Sequence, residues 1–147
     1  MIKKILVAYD AGKLSQKALE TAMEIARSEK SEIFVITSIK IPDYILLNMS
    51  FGTDIGVLDN VDNLVHENYQ RKLEEAAETV KKEGIPVQTV YFKDKPGEAV
   101  VSFAEKEGVD LIVIGSKNYQ GLDKALLGSV SSYVAQNAQC AVMIIKA

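Results

Sequence analysis

The stretch Val109–Ser129, "VDLIVIGSKNYQGLDKALLGS", decides how the rest of the sequence is interpreted. Its apolar run Leu111–Ile114 is typical of a strand that is buried on both faces of a parallel sheet. Three glycines follow, and then an apolar pattern with helical spacing predicts a short helix over Leu126–Asn137. Strand, glycine-rich loop and helix in this order indicate an α/β domain. They also raise the question of whether the loop approaches a phosphate.

The same alternation of strand and helix extends outward over the whole chain. Four further strands are predicted at Ile2–Tyr9, Ile33–Ile39, Val87–Phe92 and Ala141–Ile145. Helices are predicted at Leu14–Arg27, along the apolar stripe Leu64–Val80, and from Pro96 to Gly108. Gly84 and Gly108 suit the left-handed position after a helix. The sequence therefore predicts one domain over residues 1–147, an α/β doubly wound five-stranded parallel sheet with helices on both faces and right-handed crossovers.

Length and composition restrict the classes of protein that fit this sequence. The chain has 147 residues and a formal net charge of -3, which disfavours nucleic acid as the main partner. No apolar run approaches the roughly 20 residues that span a bilayer, and the apolar part of the N-terminus is too short for a signal peptide. Cys140 is the only cysteine, so an intramolecular disulfide is excluded. We therefore expect a cytoplasmic globular protein without a membrane segment.

The glycine-rich loop has two interpretations. Gly115 can adopt a positive φ and leaves room for a close ligand, while Gly128 and Ser129 precede a helix whose free N–H groups would favour an anion. Hydroxyl donors or positive charge for such an anion are available on Ser129, Ser131, Lys117 and Lys124. Alternatively, the glycines form an ordinary turn and Ser129 is only the cap of the helix.

Asp10 ends the first predicted strand, at the edge where doubly wound sheets bind their ligands. An acid at this position can accept a ribose hydroxyl or lie near a metal that phosphates hold. The alternative is a turn residue before Gly12, with hydrogen bonds from its side chain to the backbone.

A long irregular segment, Lys40–Asp62, follows the second predicted strand. We expect it at the same rim of the sheet as Asp10, where the carboxyl ends of the strands lie. Such a loop is either a lid over the site or a cover for the core or a partner subunit, and the two roles are compatible.

His66, the only histidine, is expected to be solvated near the start of a helix. Cys140 is expected to be a small buried apolar residue. The sequence contains neither a recognisable catalytic triad nor a metal-ligand cluster, and the nucleophile-elbow spacing is absent.

These features together resemble the universal stress protein family, single-domain type. The resemblance runs from "KKILVAYD" at 3–10 through "IGSKNYQGLDKALLGSVSSYV" at 114–134 to "CAVMIIK" at 140–146. The nucleotide-binding branch of that family has the pattern glycine, two residues, glycine, nine residues, glycine, and then serine or threonine. Gly115, Gly128 and Ser129 match it, whereas Asn118 stands where the second glycine belongs. Asparagine is among the non-glycine residues that most readily adopt the left-handed conformation, although its side chain takes up space.

The resemblance implies a Rossmann-like fold of the adenine nucleotide α-hydrolase type that binds ATP, or AMP or ADP, with Mg or Mn. Asp10 would lie near the phosphate-bound metal, with no direct protein ligand for it. The residues it implies for the nucleotide site are Ala8, Asp10, Ile39, Gly115, Ser116, Asn118, Gly128, Ser129, Val130 and Ser131.

By the same resemblance, the protein would be a stress-response switch or sensor with at most slow ATP hydrolysis. It would form a homodimer through Ala141–Ile145, an apolar edge strand with little protective charge. The alternative is a family member without nucleotide that acts as a protein interaction module, which the Asn118 departure favours. An ATP-dependent ligase or hydrolase lacks a visible catalytic set.

Overall fold

The computed structural model describes residues 1–40, 55–116 and 128–147, and the side chains of all of these except 55–59. Five strands and four helices alternate along this part of the chain, as the sequence predicts. The strands are β1 (Lys4–Ala8), β2 (Glu32–Ser38), β3 (Val87–Phe92), β4 (Leu111–Gly115) and β5 (Ala141–Ile145). The helices are α1 (Lys13–Glu29), α2 (Ile55–Lys82), α3 (Pro96–Glu107) and α4 (Ser129–Asn137).

The strands form one parallel sheet in the order β3-β2-β1-β4-β5. Ile5 of β1 is opposite Ile33 of β2 on one side and Leu111 of β4 on the other. The chain therefore winds outward from β1 to β3, returns to the opposite side of β1 with β4, and ends at β5. This is the doubly wound arrangement that the alternation predicts, and the strand order reverses between β1 and β4.

The two faces of the sheet carry separate apolar cores. Helices α1 and α2 cover one face, where Ala22 and Val80 pack with Val7 and Val35. Helices α3 and α4 cover the other. The central strands β1, β2 and β4 are buried on both faces, which explains their continuous apolar sequences. β3 and β5 are the edge strands, and Met143 of β5 keeps 36% of its surface exposed.

Most helix boundaries lie where local sequence signals predict them. Pro96 opens α3, because its fixed φ suits the first turn and its missing N–H has no intrahelical partner there. Gly84 and Gly108 follow α2 and α3 with φ of 75° and 66°, in the left-handed region that glycine tolerates. Lys30 takes the same role after α1 with φ 57°.

Two helices begin elsewhere than predicted. α2 starts at Ile55, so the end of the segment expected to be irregular, Lys40–Asp62, is helical, while residues 41–54 lie outside the described residues. α4 starts at Ser129 instead of Leu126, because Gly128 is extended (φ -67°, ψ 162°) and stands before the helix as its N-cap. In the part of the chain that the structure describes, no helix is long and apolar enough to cross a membrane.

Candidate functional site

The carboxyl ends of β1 and β4 lie side by side where the strand order reverses. Ala8 is opposite Ile114 in the sheet, so the segments after them, which begin near Asp10 and Ser116, leave the sheet at the same place. A cavity of about 480 Å³ opens there. Its lining consists of Asp10, Gly12, Lys13, Leu14, Ser15, Ser116 and Ala147. The structure thus brings the two segments singled out from the sequence to the place where doubly wound sheets bind ligands.

Asp10 is exposed, and one of its carboxylate oxygens is engaged by the turn that follows. Its Oδ1 accepts a hydrogen bond from the N–H of Gly12 at 2.8 Å and lies 2.8 Å from the hydroxyl oxygen of Ser15. The Ser15 hydroxyl carries a single proton, which it can donate either to Asp10 or to the carbonyl oxygen of Gly12, 3.0 Å away. The predicted turn function of Asp10 is therefore present. Because only Oδ1 takes part in these bonds, Oδ2 remains a candidate acceptor for a ligand.

Ala11, between Asp10 and Gly12, has φ 68°. A non-glycine residue in this left-handed region costs on the order of 1–2 kcal/mol, because Cβ approaches a carbonyl oxygen. The bond from the Gly12 N–H to Asp10 spans this residue and holds the turn in the strained conformation.

Gly115 is required for a reason that the sequence does not reveal. Its φ lies outside the left-handed region, so the positive φ that glycine permits is not used here. A Cβ atom at this position would lie 2.7 Å from Cβ of Leu14 and 2.9 Å from the carbonyl carbon of Leu14. Such distances are far shorter than van der Waals contact, so glycine is what allows the start of α1 to pack directly on the end of β4.

At the start of α4, three backbone N–H groups have no hydrogen-bond partner among the described residues. The first helical hydrogen bond runs from the N–H of Ser132 to the carbonyl of Gly128, which leaves the N–H groups of Ser129, Val130 and Ser131 without an intrahelical partner. Gly128 supplies no side-chain cap, so the alternative that Ser129 is the cap is wrong. The buried Ser131 hydroxyl donates to the Gly128 carbonyl at 3.0 Å, whereas Ser129 is exposed. Of the two hydroxyls predicted as ligand donors, only that of Ser129 lies at the surface.

The remaining predicted site residues are distributed around this rim. Ser129 and Val130 line a second cavity, of about 220 Å³, whose other wall is the start of α3 at Lys95–Glu98. Ile39 lies one strand further from Asp10, at the end of β2, where its N–H donates to the Phe92 carbonyl. Asn118, Lys117 and Lys124 lie outside the described residues, as does the rest of 117–127.

His66 is not solvated, and the expectation from the sequence was wrong. Only 5% of its surface is exposed; Nδ1 forms a hydrogen bond with the hydroxyl of Tyr91, and Nε2 lies 3.4 Å from the Asp62 carboxylate. The pKa of Tyr91 is raised, first by burial and then by Tyr69 and Asp62. This polar cluster attaches the first half of α2 to the carboxyl end of β3.

A signal for the burial of His66 was available in the sequence. The buried positions of α2 include Leu73, Ala76 and Val80, which follow one another at spacings of three and four. Extending that spacing backward through Tyr69 arrives at His66. Position within the apolar stripe, and not the polarity of the side chain, indicates which way the residue points.

The titratable side chains that the structure describes form no metal-ligand cluster. In residues 1–40, 60–116 and 128–147, no group of three or more His, Cys, Asp or Glu side chains could hold a metal ion. Cys140 is half-buried rather than fully buried as predicted; it packs against the core under α3 and α4, and burial raises the pKa of its thiol.

Comparison with known sequences identifies one family over almost the whole chain. The profile of the Universal stress protein family matches residues 1–146. The universal stress protein YxiE of Bacillus subtilis is 30% identical over 154 residues, which covers 99% of this chain and 100% of that protein.

Solved structures share the fold. Protein MJ0577 of Methanocaldococcus jannaschii superimposes with a TM-score of 0.81 and 25% identity, over 100% of this chain and 97% of that chain. A universal stress protein from Archaeoglobus fulgidus, solved in complex with dAMP, superimposes with a TM-score of 0.68 and 21% identity, over 99% and 98% of the two chains. At that identity the second similarity concerns the fold alone.

Proposed function

The chain belongs to the universal stress protein family, and on that premise we propose that it binds ATP or another adenine nucleotide and acts as a regulatory switch or sensor. The observation that carries the proposal is the meeting of Asp10 and Ser116 in one cavity where the strand order reverses. The dAMP complex of the Archaeoglobus fulgidus protein adds support, because that protein holds an adenine nucleotide on the same fold.

The carboxylate and the backbone N–H groups at the carboxyl ends of the strands suit the ribose and the phosphates of an adenine nucleotide. Oδ2 of Asp10, which makes no hydrogen bond among the described residues, suits a ribose hydroxyl. Its negative charge also suits a nearby Mg or Mn ion that is held by phosphate oxygens. The N–H groups of Ser129 and Val130, which have no intrahelical partner, suit a phosphate. The metal, held near Asp10, would neutralise phosphate charge.

A regulatory role fits this site better than an enzymatic one. Hydrolysis requires a group that orients a water in line with the γ-phosphate and a group that stabilises the developing charge. Among the described residues we identify no side chain placed for the first task. We therefore propose at most slow turnover, so that the bound nucleotide acts chiefly by changing which conformation is populated.

We also propose a homodimer that pairs through β5. Ala141 and Met143 are exposed on this edge strand, and an exposed apolar edge is normally covered by a partner. The same feature supports a second candidate function, a protein interaction module that has lost its nucleotide. Asn118 in place of the motif glycine is the specific observation in its favour.

Isothermal titration of the purified protein with ATP and Mg tests nucleotide binding, together with a search for nucleotide released from denatured protein. We expect a dissociation constant roughly in the micromolar range. Ser129→Pro is the informative variant, since proline is favoured at the first helical position and lacks both the N–H and the hydroxyl of serine. Loss of a charge-assisted hydrogen bond should weaken ATP binding by about tenfold or more.

Ser129→Ala is the matched control, because it keeps the N–H and removes the hydroxyl alone. Circular dichroism must show that both variants retain the helix content of the wild type. An unchanged affinity in Ser129→Pro would mean that no phosphate lies at the start of α4. Neither binding nor released nucleotide in the wild type would overturn the nucleotide proposal and favour the interaction module.

A further inference from the structure

A groove lies between the outer side of α3 and the end of β3, and we call it the α3 groove. Its volume is about 470 Å³, within the range of cavities that bind ligands. Its lining consists of Phe92, Asp94, Glu98, Ala99, Ser102, Phe103, Lys106 and Glu107. None of these residues lines the cavity at Asp10, so the α3 groove is a separate candidate site.

The apolar part of this lining consists chiefly of two aromatic rings. The centroids of Phe92 and Phe103 lie 6.3 Å apart in an edge-to-face arrangement, and both side chains are half-buried. Phe103 also packs edge-to-face against Phe34, with centroids 5.3 Å apart, and Phe34 is only 4% exposed. Because the buried ring holds the outer two in place, the groove has a fixed aromatic surface on which a partner can pack.

The charged part of the lining is mainly negative. The carboxylates of Asp94, Glu98 and Glu107 outnumber the single ammonium group of Lys106. Among the described residues, none of these four groups has an ion-pair partner within 4.0 Å. The groove therefore favours a cation. An arginine or lysine side chain fits both parts of the lining, because its apolar stem packs on aromatic rings while its charged end pairs with carboxylates.

The neighbouring edge of the sheet favours a polypeptide over a small cation. β3 pairs with β2 on one side, and in the described part of the chain no strand pairs with its other side. An extended segment that paired with this outer edge would lie about 4.8 Å beyond β3, with alternate side chains on the two faces of the sheet. Phe92 lies on the face that α3 covers. Every second side chain of the segment would therefore point to the side of the groove.

We propose that the α3 groove and the outer edge of β3 bind an extended basic segment of a partner protein. The backbone of the segment pairs with β3, and an arginine or lysine side chain packs against Phe92 and Phe103. Glu98 and Glu107 face its charge. This interaction goes beyond the proposed nucleotide function and does not depend on it.

NMR titration of the isotope-labelled full chain with two synthetic peptides tests the proposal. In one peptide arginine alternates with valine, in the other glutamate replaces arginine, and both have blocked ends. We expect the arginine peptide to shift the amide resonances of β3, Ala99, Ser102 and Phe103, with a dissociation constant of about 1 mM or lower. Its binding should weaken as salt is raised, because salt screens charge pairs. The glutamate peptide should cause no shifts.

Two variants locate the contact, and amide spectra check that each remains folded. Glu98→Gln combined with Glu107→Gln should weaken binding of the arginine peptide by about three- to tenfold, as fits two partly exposed charge pairs. Ser102→Arg places a cation at an exposed position in the groove and should weaken binding by about tenfold or more. Glu105→Gln is the matched control, since Glu105 is exposed on the same helix but outside the groove, and it should change affinity by less than about twofold.

Several results would overturn the proposal. One is the absence of shifts at the α3 groove with the arginine peptide, and another is equal binding of the glutamate peptide. Shifts confined to β5 would assign peptide pairing to the opposite edge of the sheet. A loss in Glu105→Gln equal to that of the double variant would show that the peptide responds to the overall negative charge of the protein and not to the groove.

Discussion

Two aspartates lie at opposite ends of the strands and have different functions. One is at the side of the sheet where the amino ends of the strands lie (the amino edge), and the other is where the carboxyl ends lie (the carboxyl edge). Asp110 precedes β4 at the amino edge, and its Oδ2 accepts hydrogen bonds from the N–H groups of Lys3 and Lys4 at 2.9 and 3.0 Å. Asp10 follows β1 at the carboxyl edge, and among the described residues its carboxylate bonds only within its own turn. Asp110 therefore joins two strands that are over a hundred residues apart in sequence, whereas Asp10 shapes a local turn and keeps an oxygen available.

The polar groups near Asp110 and near Asp10 differ in the same way as the two aspartates. At the amino edge Lys4 Nζ also donates to the Glu107 carbonyl, so charged side chains there are bonded to the backbone. At the carboxyl edge the caps of α1 and α4 are glycines without side-chain bonds. The amino edge is closed by its own polar groups, whereas the described part of the carboxyl edge leaves backbone donors and a carboxylate oxygen without partners.

The largest expected effect is a loss of folding stability when Gly115, at the carboxyl edge, is given a side chain. Gly115→Val should destabilise the fold by about 2–3 kcal/mol, because its side chain would overlap Leu14 at the start of α1. Urea unfolding measures the loss. Gly12→Ala is the control, since the nearest atoms to its Cβ belong to the Asp10 side chain, with Oδ1 at 3.0 Å, so a shift of a few tenths of an ångström relieves the contact and the cost should be under about 1 kcal/mol. Equal losses in the two variants would contradict the role given to the Leu14 contact.

The next effect tests whether the hydrogen bond between His66 and Tyr91 stabilises the junction of α2 with the carboxyl end of β3. Tyr91→Phe leaves Nδ1 of the buried His66 without its partner, and we expect a loss of about 1–2 kcal/mol in unfolding free energy. Tyr133→Phe is the control, because Tyr133 is 37% exposed and its hydroxyl makes no hydrogen bond among the described residues. If both variants unfold at the wild-type urea concentration, the junction of α2 with β3 is not closed by this cluster.

The smallest effect is the pH-dependent contribution of Asp110, at the amino edge, to the free energy of unfolding. Hydrogen bonds from the N–H groups of Lys4 and Lys3 lower the pKa of Asp110 below its ordinary 3.8. A lowered folded-state pKa stabilises the protein above pH about 4, and this stability is lost as pH falls through the folded-state pKa. Asp110→Asn should cost under about 1 kcal/mol at pH 7, because the group is exposed.

The pH profile supplies its own control for that prediction. The difference in unfolding free energy between wild type and Asp110→Asn should narrow as pH falls below about 4. A difference that stays constant between pH 7 and pH 3 would show that the carboxylate charge is not what Asp110 contributes.

Much of the fold was predictable because its signals are local. The apolar runs of β1 and β4, Pro96, and the glycines at 84 and 108 each indicate structure from a few neighbouring residues. Strand order was not predictable, since pairing depends on residues far apart in the chain. The start of α2 was missed because the Asp- and Asn-rich stretch at 59–63 has low helix propensity, which its tertiary setting overrides.

The site was predictable in location and less so in detail. Asp10 and Gly115 were singled out because they end apolar strands, and the sheet places those ends together. The requirement for glycine at 115 is set by Leu14, a hundred residues earlier, so no local pattern indicates it. Burial of His66 also depends on a distant partner, Tyr91, although the helical stripe points to it.

The single histidine gives the protein a built-in spectroscopic reporter. Since His66 is the only imidazole in the chain, its ring protons give signals in an NMR spectrum that need no assignment by mutation. The ring touches β3 near its carboxyl end, beside the rim that holds the proposed site. Displacement of these resonances during a titration would report on a structural response some distance from the nucleotide, without any label attached to the protein.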